Sequence, residues 1–136
     1  MALVTEEIKV AIDSDTDIVV GREKGRALAS SLGFSSSDAV LIATSISELA
    51  RNIVRYARRG EIVLRSVRQG QKDGITVIAQ DEGPGIEDVN LAMQVGYSTS
   101  GGFGLGLPGV KRLMDEFEID SRPGDGLTVK ATKWRR

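Results

Sequence analysis

Between residues 38 and 58 apolar residues recur in alternating steps of four and three: Ile42, Ile46, Leu49 and Ile53, continued by Tyr56 or Ala57. Such steps lay one apolar stripe along a helix. Ser35-Ser36-Ser37-Asp38 supplies a polar cap before it, so a long amphipathic helix is predicted from Asp38 to Arg58. Upstream, Ile8, Val10 and Ile12 alternate with other residues from Glu7 to Ile12, the pattern of a half-buried strand. Asp13-Ser14-Asp15-Thr16-Asp17 then caps a first helix predicted to bury Ile18, Val19, Leu28, Ala29 and Leu32 and to stop at Gly33.

Gly60 marks the end of the long helix. Strands are predicted at Glu61–Gln69 and Ile75–Gln80, around a turn over Gly70–Gly74. A short helix follows from Asp88 to Val95, and another begins near Pro108 with Val110, Leu113, Met114 and Phe117 on its apolar side. Glu118–Ser121 reads as a strand, Arg122-Pro123-Gly124-Asp125-Gly126 as a turn, and Leu127–Trp134 as the last strand. No repeat, low-complexity segment or linker interrupts this order, so residues 1–136 are expected to form a single domain.

Charge narrows the partners. Eighteen Lys and Arg against 19 Asp and Glu leave a net charge of −1, with no electrostatic footprint for nucleic acid. The apolar runs are too short for a membrane span and the start carries no signal-peptide pattern; together with the absence of Cys, this fits a cytoplasmic protein. The absence of His excludes a Ser-His-Asp triad, a histidine-ligated metal and a histidine phosphoacceptor. Any metal must then be a hard cation held by oxygens, and any general base a carboxylate or Lys.

Three stretches carry candidate chemistry. Beside the apolar stripe of the long helix runs a polar line, Ser45, Glu48 and Asn52, and residues four apart share a helix face. Asp81-Glu82-Gly83-Pro84-Gly85 sets a carboxylate at a strand end before an enforced turn. The run from Gly96 to Gly109 holds Gly96, Gly101, Gly102, Gly104, Gly106 and Gly109, and leads into a helix whose free N–H groups favour anions. Taken singly, these stretches are equally a solvated helix face, an ordinary turn and a surface loop. Gly104-x-Gly106-x-x-Gly109 matches the dinucleotide fingerprint in spacing, but it does not follow a strand, and no Walker A sequence is present.

In this order the three stretches resemble the asparagine box and the two glycine boxes of the ATP-binding superfamily shared by gyrase, the chaperone Hsp90, histidine kinases and MutL. The resemblance spans residues 38–134. It implies an α+β fold of the Bergerat type, a two-layer sandwich with a mostly antiparallel five-stranded sheet and helices on one face. Ser47-Glu48-Leu49-Ala50-Arg51-Asn52-Ile53, the run from Tyr97 to Phe117 and the ending Lys133-Trp134 are similar to a subgroup of bacterial serine kinases, the stressosome switch kinases.

By that resemblance Glu48 is the carboxylate that takes the proton from the attacking hydroxyl, and Asn52 is the magnesium ligand. Asp81 corresponds to the adenine-reading aspartate, an acceptor suited to adenine's amino group. Gly83 and Gly85 would let backbone approach the base and sugar. Ser98, Thr99, Ser100, Gly101, Gly102, Gly104, Leu105, Gly106 and Leu107 correspond to a lid over the phosphates, with Lys111 and Arg112 either assisting or merely solvated. Thr128 is the candidate adenine contact at the last turn. It stands one residue later than the family's Thr, because Leu127 follows Gly126, and successive strand residues face opposite sides.

The resemblance implies a protein-serine/threonine kinase that moves the γ-phosphate of MgATP, leaving ADP, onto STAS-domain scaffold and antagonist proteins of a stressosome. Once released, it would bind and activate a PP2C-type phosphatase. Two alternatives stay open: an anti-sigma factor kinase, and a module that binds nucleotide without turnover. Anti-sigma kinases usually carry His four residues after the box Asn, where this chain has Tyr56. Gyrase-like ATPases borrow a Lys from another domain, so fast autonomous hydrolysis is not expected.

Overall fold

The computed structural model describes residues 3–85, 93, 106–122 and 124–136. Strand β1 (Leu3–Ile12) is followed by helices α1 (Asp15–Ser31) and α2 (Ser36–Asn52) and a π-helical turn (Ile53–Ala57). Strands β2 (Gly60–Gln69) and β3 (Lys72–Asp81), helix α3 (Gly106–Leu113) and strands β4 (Glu116–Arg122) and β5 (Gly126–Trp134) complete the order. The five strands form one sheet in the order β1-β2-β3-β5-β4, with every neighbouring pair antiparallel. This is the expected α+β sandwich, with the sheet wholly antiparallel among the described residues.

The helices gather on one face because the apolar positions do. The predicted stripe of Ile42, Ile46, Leu49 and Ile53 is at most 2% exposed and packs with Ile62, Leu64, Ile75, Val77 and Val129 from the sheet. Each such Ile contributes about 1.5–3 kcal/mol by leaving water. Caps set the helix starts. Ser35 Oγ accepts the Asp38 N–H at 3.1 Å, so α2 begins at Ser36, two residues before the predicted start. The Asp17 carboxylate accepts the N–H groups of Asp13 and Ser14 at 2.8 and 3.2 Å, closing the start of α1.

Several predicted details shift. Val19 is 45% exposed, so the buried face of α1 is Ile18, Leu28 and Ala29, with Leu32 only partly buried. The apolar stripe of α2 stops at Ile53: the wider π turn changes the helical phase and leaves Tyr56 49% exposed. Arg58 at φ 72°, not Gly60, breaks the helix, and Gly60 is already the first residue of β2. The β2–β3 hairpin closes over Gly70-Gln71 alone, since Gln69 pairs with Lys72. Phe117 belongs to β4, because α3 ends at Leu113. The predicted helix over Asp88–Val95 lies outside the described residues, apart from Met93, which packs against the core.

The helix-free face of the sheet carries a hollow of about 290 Å³ bordered by Val4, Arg65, Thr76, Lys130, Thr132 and Trp134. Thr76 and Thr132 are hydrogen-bonded across it at 2.8 Å. The candidate chemistry lies on the other face.

Candidate nucleotide site

Position along α2 decides what Glu48 and its neighbours can do. Ser45 and Glu48 are 0% and 7% exposed, which removes the solvated-face reading for both. Ser45 returns its hydroxyl to the Leu41 carbonyl at 3.0 Å, satisfying itself within the helix. Glu48 instead looks outward from α2. Its Oε1 meets Arg51 Nη1 at 2.5 Å, and its Oε2 accepts the Gly106 N–H at 3.4 Å. The long helix and the start of α3 therefore meet at this carboxylate. Asn52, one turn further, is partly buried.

Asp81 ends β3 on the helical side. Its sheet partners are Gly60 and Leu127, and Ile75, Val77 and Ala79 before it on the same side belong to the core. The carboxylate accepts the Gly83 N–H at 2.9 Å and a backbone bond from Leu127. Burial pushes the Asp81 carboxyl above its ordinary value of 3.8, and those two backbone bonds partly offset the rise. A carboxylate held by backbone donors and partly desolvated is a fixed acceptor, the chemistry needed to read an amino group.

The turn after Asp81 is wedged between two elements. A Cβ on Gly83 would lie 2.6 Å from Ala57 Cβ, at the end of the π turn. Gly85, at φ 73°, passes so close to the Arg122 carbonyl that a Cβ would come within 2.9 Å of it, and the Pro84 carbonyl accepts the Gly124 N–H at 2.7 Å. A Cβ on Gly60 would likewise meet Ile53 Cγ2 and Asp81 Cβ, both at 3.0 Å. Packing thus runs from Gly106 to Glu48, along α2 past Asn52 to Ile53, and through Gly60 to Asp81 and Gly83.

Thr128 falls outside this group. It pairs with Gln80 and Asp120, one step off the register of Asp81 with Leu127, so its side chain faces the helix-free side. That placement corrects its inclusion beside Asp81. Leu107 is 6% exposed and part of the core, leaving at most its backbone for a ligand. Gly106 is partly buried, whereas Lys111 and Arg112 are exposed. Ser98, Thr99, Ser100, Gly101, Gly102, Gly104 and Leu105 lie outside the described residues.

Arg51 was not among the residues singled out by sequence, although an acid and a base three apart on a helix is the signal that would have found it. The packing role of Lys133 is likewise not read from its place in the Lys133-Trp134 ending. Only 5% exposed, Lys133 donates Nζ to the Leu113 carbonyl at 2.9 Å and so caps the end of α3. No group of three or more His, Cys, Asp or Glu that could hold a metal occurs among the described residues. A divalent cation here would take one neutral oxygen from Asn52 and the rest from phosphates and water. That donor set fits Mg²⁺, which is commonly bound through few protein ligands and the phosphates of its substrate. No helix among the described residues is long and apolar enough to cross a membrane.

Comparison with known proteins gives the family. Residues 37–135 match the family described as histidine kinase-, DNA gyrase B-, and HSP90-like ATPase. Serine/threonine-protein kinase RsbT of Bacillus subtilis is 51% identical over 127 residues, covering 93% of this chain and 96% of that protein. An anti-sigma F factor of Caldanaerobacter subterraneus is 37% identical over 97 residues, 68% of each chain. Among solved structures, the RsbU and RsbW domains of a Mycobacterium tuberculosis protein superpose with a TM-score of 0.67 at 19% identity. That match covers 97% of this chain and 33% of the mycobacterial one, and supports the fold alone. The chain therefore belongs to the histidine kinase-, DNA gyrase B- and HSP90-like ATPase family, and within it is a homologue of the serine/threonine kinase RsbT.

Proposed function

We propose that this protein is a MgATP-dependent protein-serine/threonine kinase whose acceptors are STAS-domain scaffold and antagonist proteins of a stressosome. The observation that carries the reading is the placement of Glu48: a buried carboxylate, one helical turn before Asn52, facing the first residue of α3. With the terminal phosphate at the start of α3, Glu48 accepts the proton of a Ser or Thr hydroxyl as its oxygen attacks. The O–P bond to the γ-phosphorus forms, the bond to the bridging oxygen breaks, and ADP leaves with that electron pair. Mg²⁺, held through the Asn52 amide oxygen, would offset charge on the phosphates. Asp81 reads the adenine amino group, Gly83 and Gly85 allow backbone near the base and sugar, and the run from Ser98 to Gly106 corresponds to the family's phosphate lid.

The same likeness supports a cytoplasmic protein, folded as one domain over residues 1–136, that on release binds and activates a PP2C-type phosphatase. An anti-sigma kinase is the second reading, favoured by the 37% identity to an anti-sigma F factor. The RsbT likeness is higher and covers 93% of the chain. Incubation with MgATP and a STAS-domain protein, followed by intact mass measurement of the acceptor, tests the reading. A gain of one phosphoryl group is expected. Acceptor of unchanged mass, with nucleotide bound to the kinase, leaves the non-transferring module.

A further inference from the structure

The carboxylate assigned as base is already engaged on both oxygens. Oε1 is held by Arg51 Nη1 at 2.5 Å, and Oε2 faces the Gly106 N–H at 3.4 Å. An ionised carboxylate can only accept, and Arg51 and the Gly106 N–H each take one of its lone-pair sites, on separate oxygens. Gly106 opens α3, where the first N–H groups have no acceptor within the helix. Glu48 thus occupies the place an anion would take at that helix start. A terminal phosphate brought there meets a carboxylate of like charge, and the two compete for the Gly106 N–H.

Arg51 resolves the conflict. Its side chain keeps 34% exposure while Glu48 is buried, so the guanidinium is the partner with room to turn. A planar fork of N–H donors matches phosphate oxygens as well as it matches a carboxylate. We propose that Arg51 is a positioning residue that holds Glu48 in the resting protein and passes to the terminal phosphate of bound ATP. The exchange frees Glu48 for the acceptor hydroxyl and makes the site tell a triphosphate from a diphosphate. It rests on the nucleotide reading given above.

The test is calorimetric titration of MgATP and of MgADP into the full chain and its Arg51→Met and Arg51→Lys variants. Loss of a charge-assisted contact made only to the terminal phosphate is expected to weaken MgATP in Arg51→Met by about ten- to a hundredfold, and MgADP by less than about threefold. Arg51→Lys keeps the charge without the fork and is expected to fall between, with an ATP-to-ADP affinity ratio below that of the parent. A merely structural role would weaken both nucleotides alike. Equal losses, or an unchanged ratio, overturn the proposal. Should Arg51→Met fail to fold, a parental ratio in Arg51→Lys overturns it as well. A parent chain that binds neither nucleotide overturns both this proposal and the kinase reading. One that binds both, with a ratio indifferent to residue 51, overturns the role of Arg51 alone.

Discussion

Gly83 lies against Ala57 so closely that a methyl group on it would sit 2.6 Å from Ala57 Cβ and 2.8 Å from Ala57 Cα. The contact joins the turn after β3 to the π turn after α2, and so fixes the Asp81 carboxylate relative to the helix that carries Glu48 and Asn52. The relation is steric, which makes it testable with one methyl group.

Gly83→Ala is expected to lower stability by about 1–3 kcal/mol, the usual cost of overpacking a closed contact. Urea unfolding of the variant checks this. An unchanged midpoint would mean that the two turns are not packed as described.

Asp81 is expected to set stability against nucleotide binding. Its folded-state pKa is raised by burial, so the folded protein holds the proton more tightly than the unfolded chain. Stability from that proton is present below the unfolded value, near 3.8, and is lost as pH rises through the raised folded value. At pH 7 the ionised, partly desolvated carboxylate is therefore a net cost. Asp81→Asn is expected to melt higher than the parent at pH 7, with the gain shrinking as pH falls towards 3.8. The same variant is expected to lose adenine nucleotide, because an amide placed there no longer offers the carboxylate's full acceptor capacity. Melting curves across pH and a nucleotide titration read the two effects separately; a variant less stable at pH 7 contradicts the linkage.

Glu48→Gln keeps shape and removes the carboxylate proposed as base. Phosphoryl transfer to a STAS acceptor is expected to fall about 10²–10⁴-fold while MgATP binding persists. Transfer at the parental rate would remove Glu48 from the chemistry.

Lys133 is a buried cation whose Nζ meets the last carbonyl of α3. Lys133→Met keeps the apolar stem but leaves that carbonyl unpaired, at an expected cost of about 1–3 kcal/mol. Hydrogen exchange in α3 should quicken by more than exchange in β2. Uniform protection would show that the lysine does not hold the helix end.

How far residues alone reveal this molecule depends on whether period or packing sets the feature. The stripe from Ile42 to Ile53 and the polar line from Ser45 to Asn52 follow from helical spacing, and both are found where that spacing puts them. Strand alternation alone separates Leu127 from Thr128, and the register bears this out. The π turn and the left-handed Arg58 are not periodic features. They arise where the chain must leave α2 and enter β2 beside Asp81, which tertiary contacts decide. The exposure of Val19 has the same origin, since a helix shows its partner only part of its apolar surface. Burial of Lys133 was legible in principle, two and four residues along β5 from Ala131 and Val129 on the core side, but its charge argued for solvent.

The most direct measurement is a crystal structure of the protein with Mg²⁺ and a non-hydrolysable ATP analogue. The account predicts one nucleotide spanning the site, its adenine amino group on the Asp81 carboxylate, the Asn52 amide oxygen on the metal, and the terminal phosphate at the Gly106 end of α3 beside Glu48. A nucleotide bound elsewhere, or one that leaves Asp81 and Asn52 untouched, would contradict it.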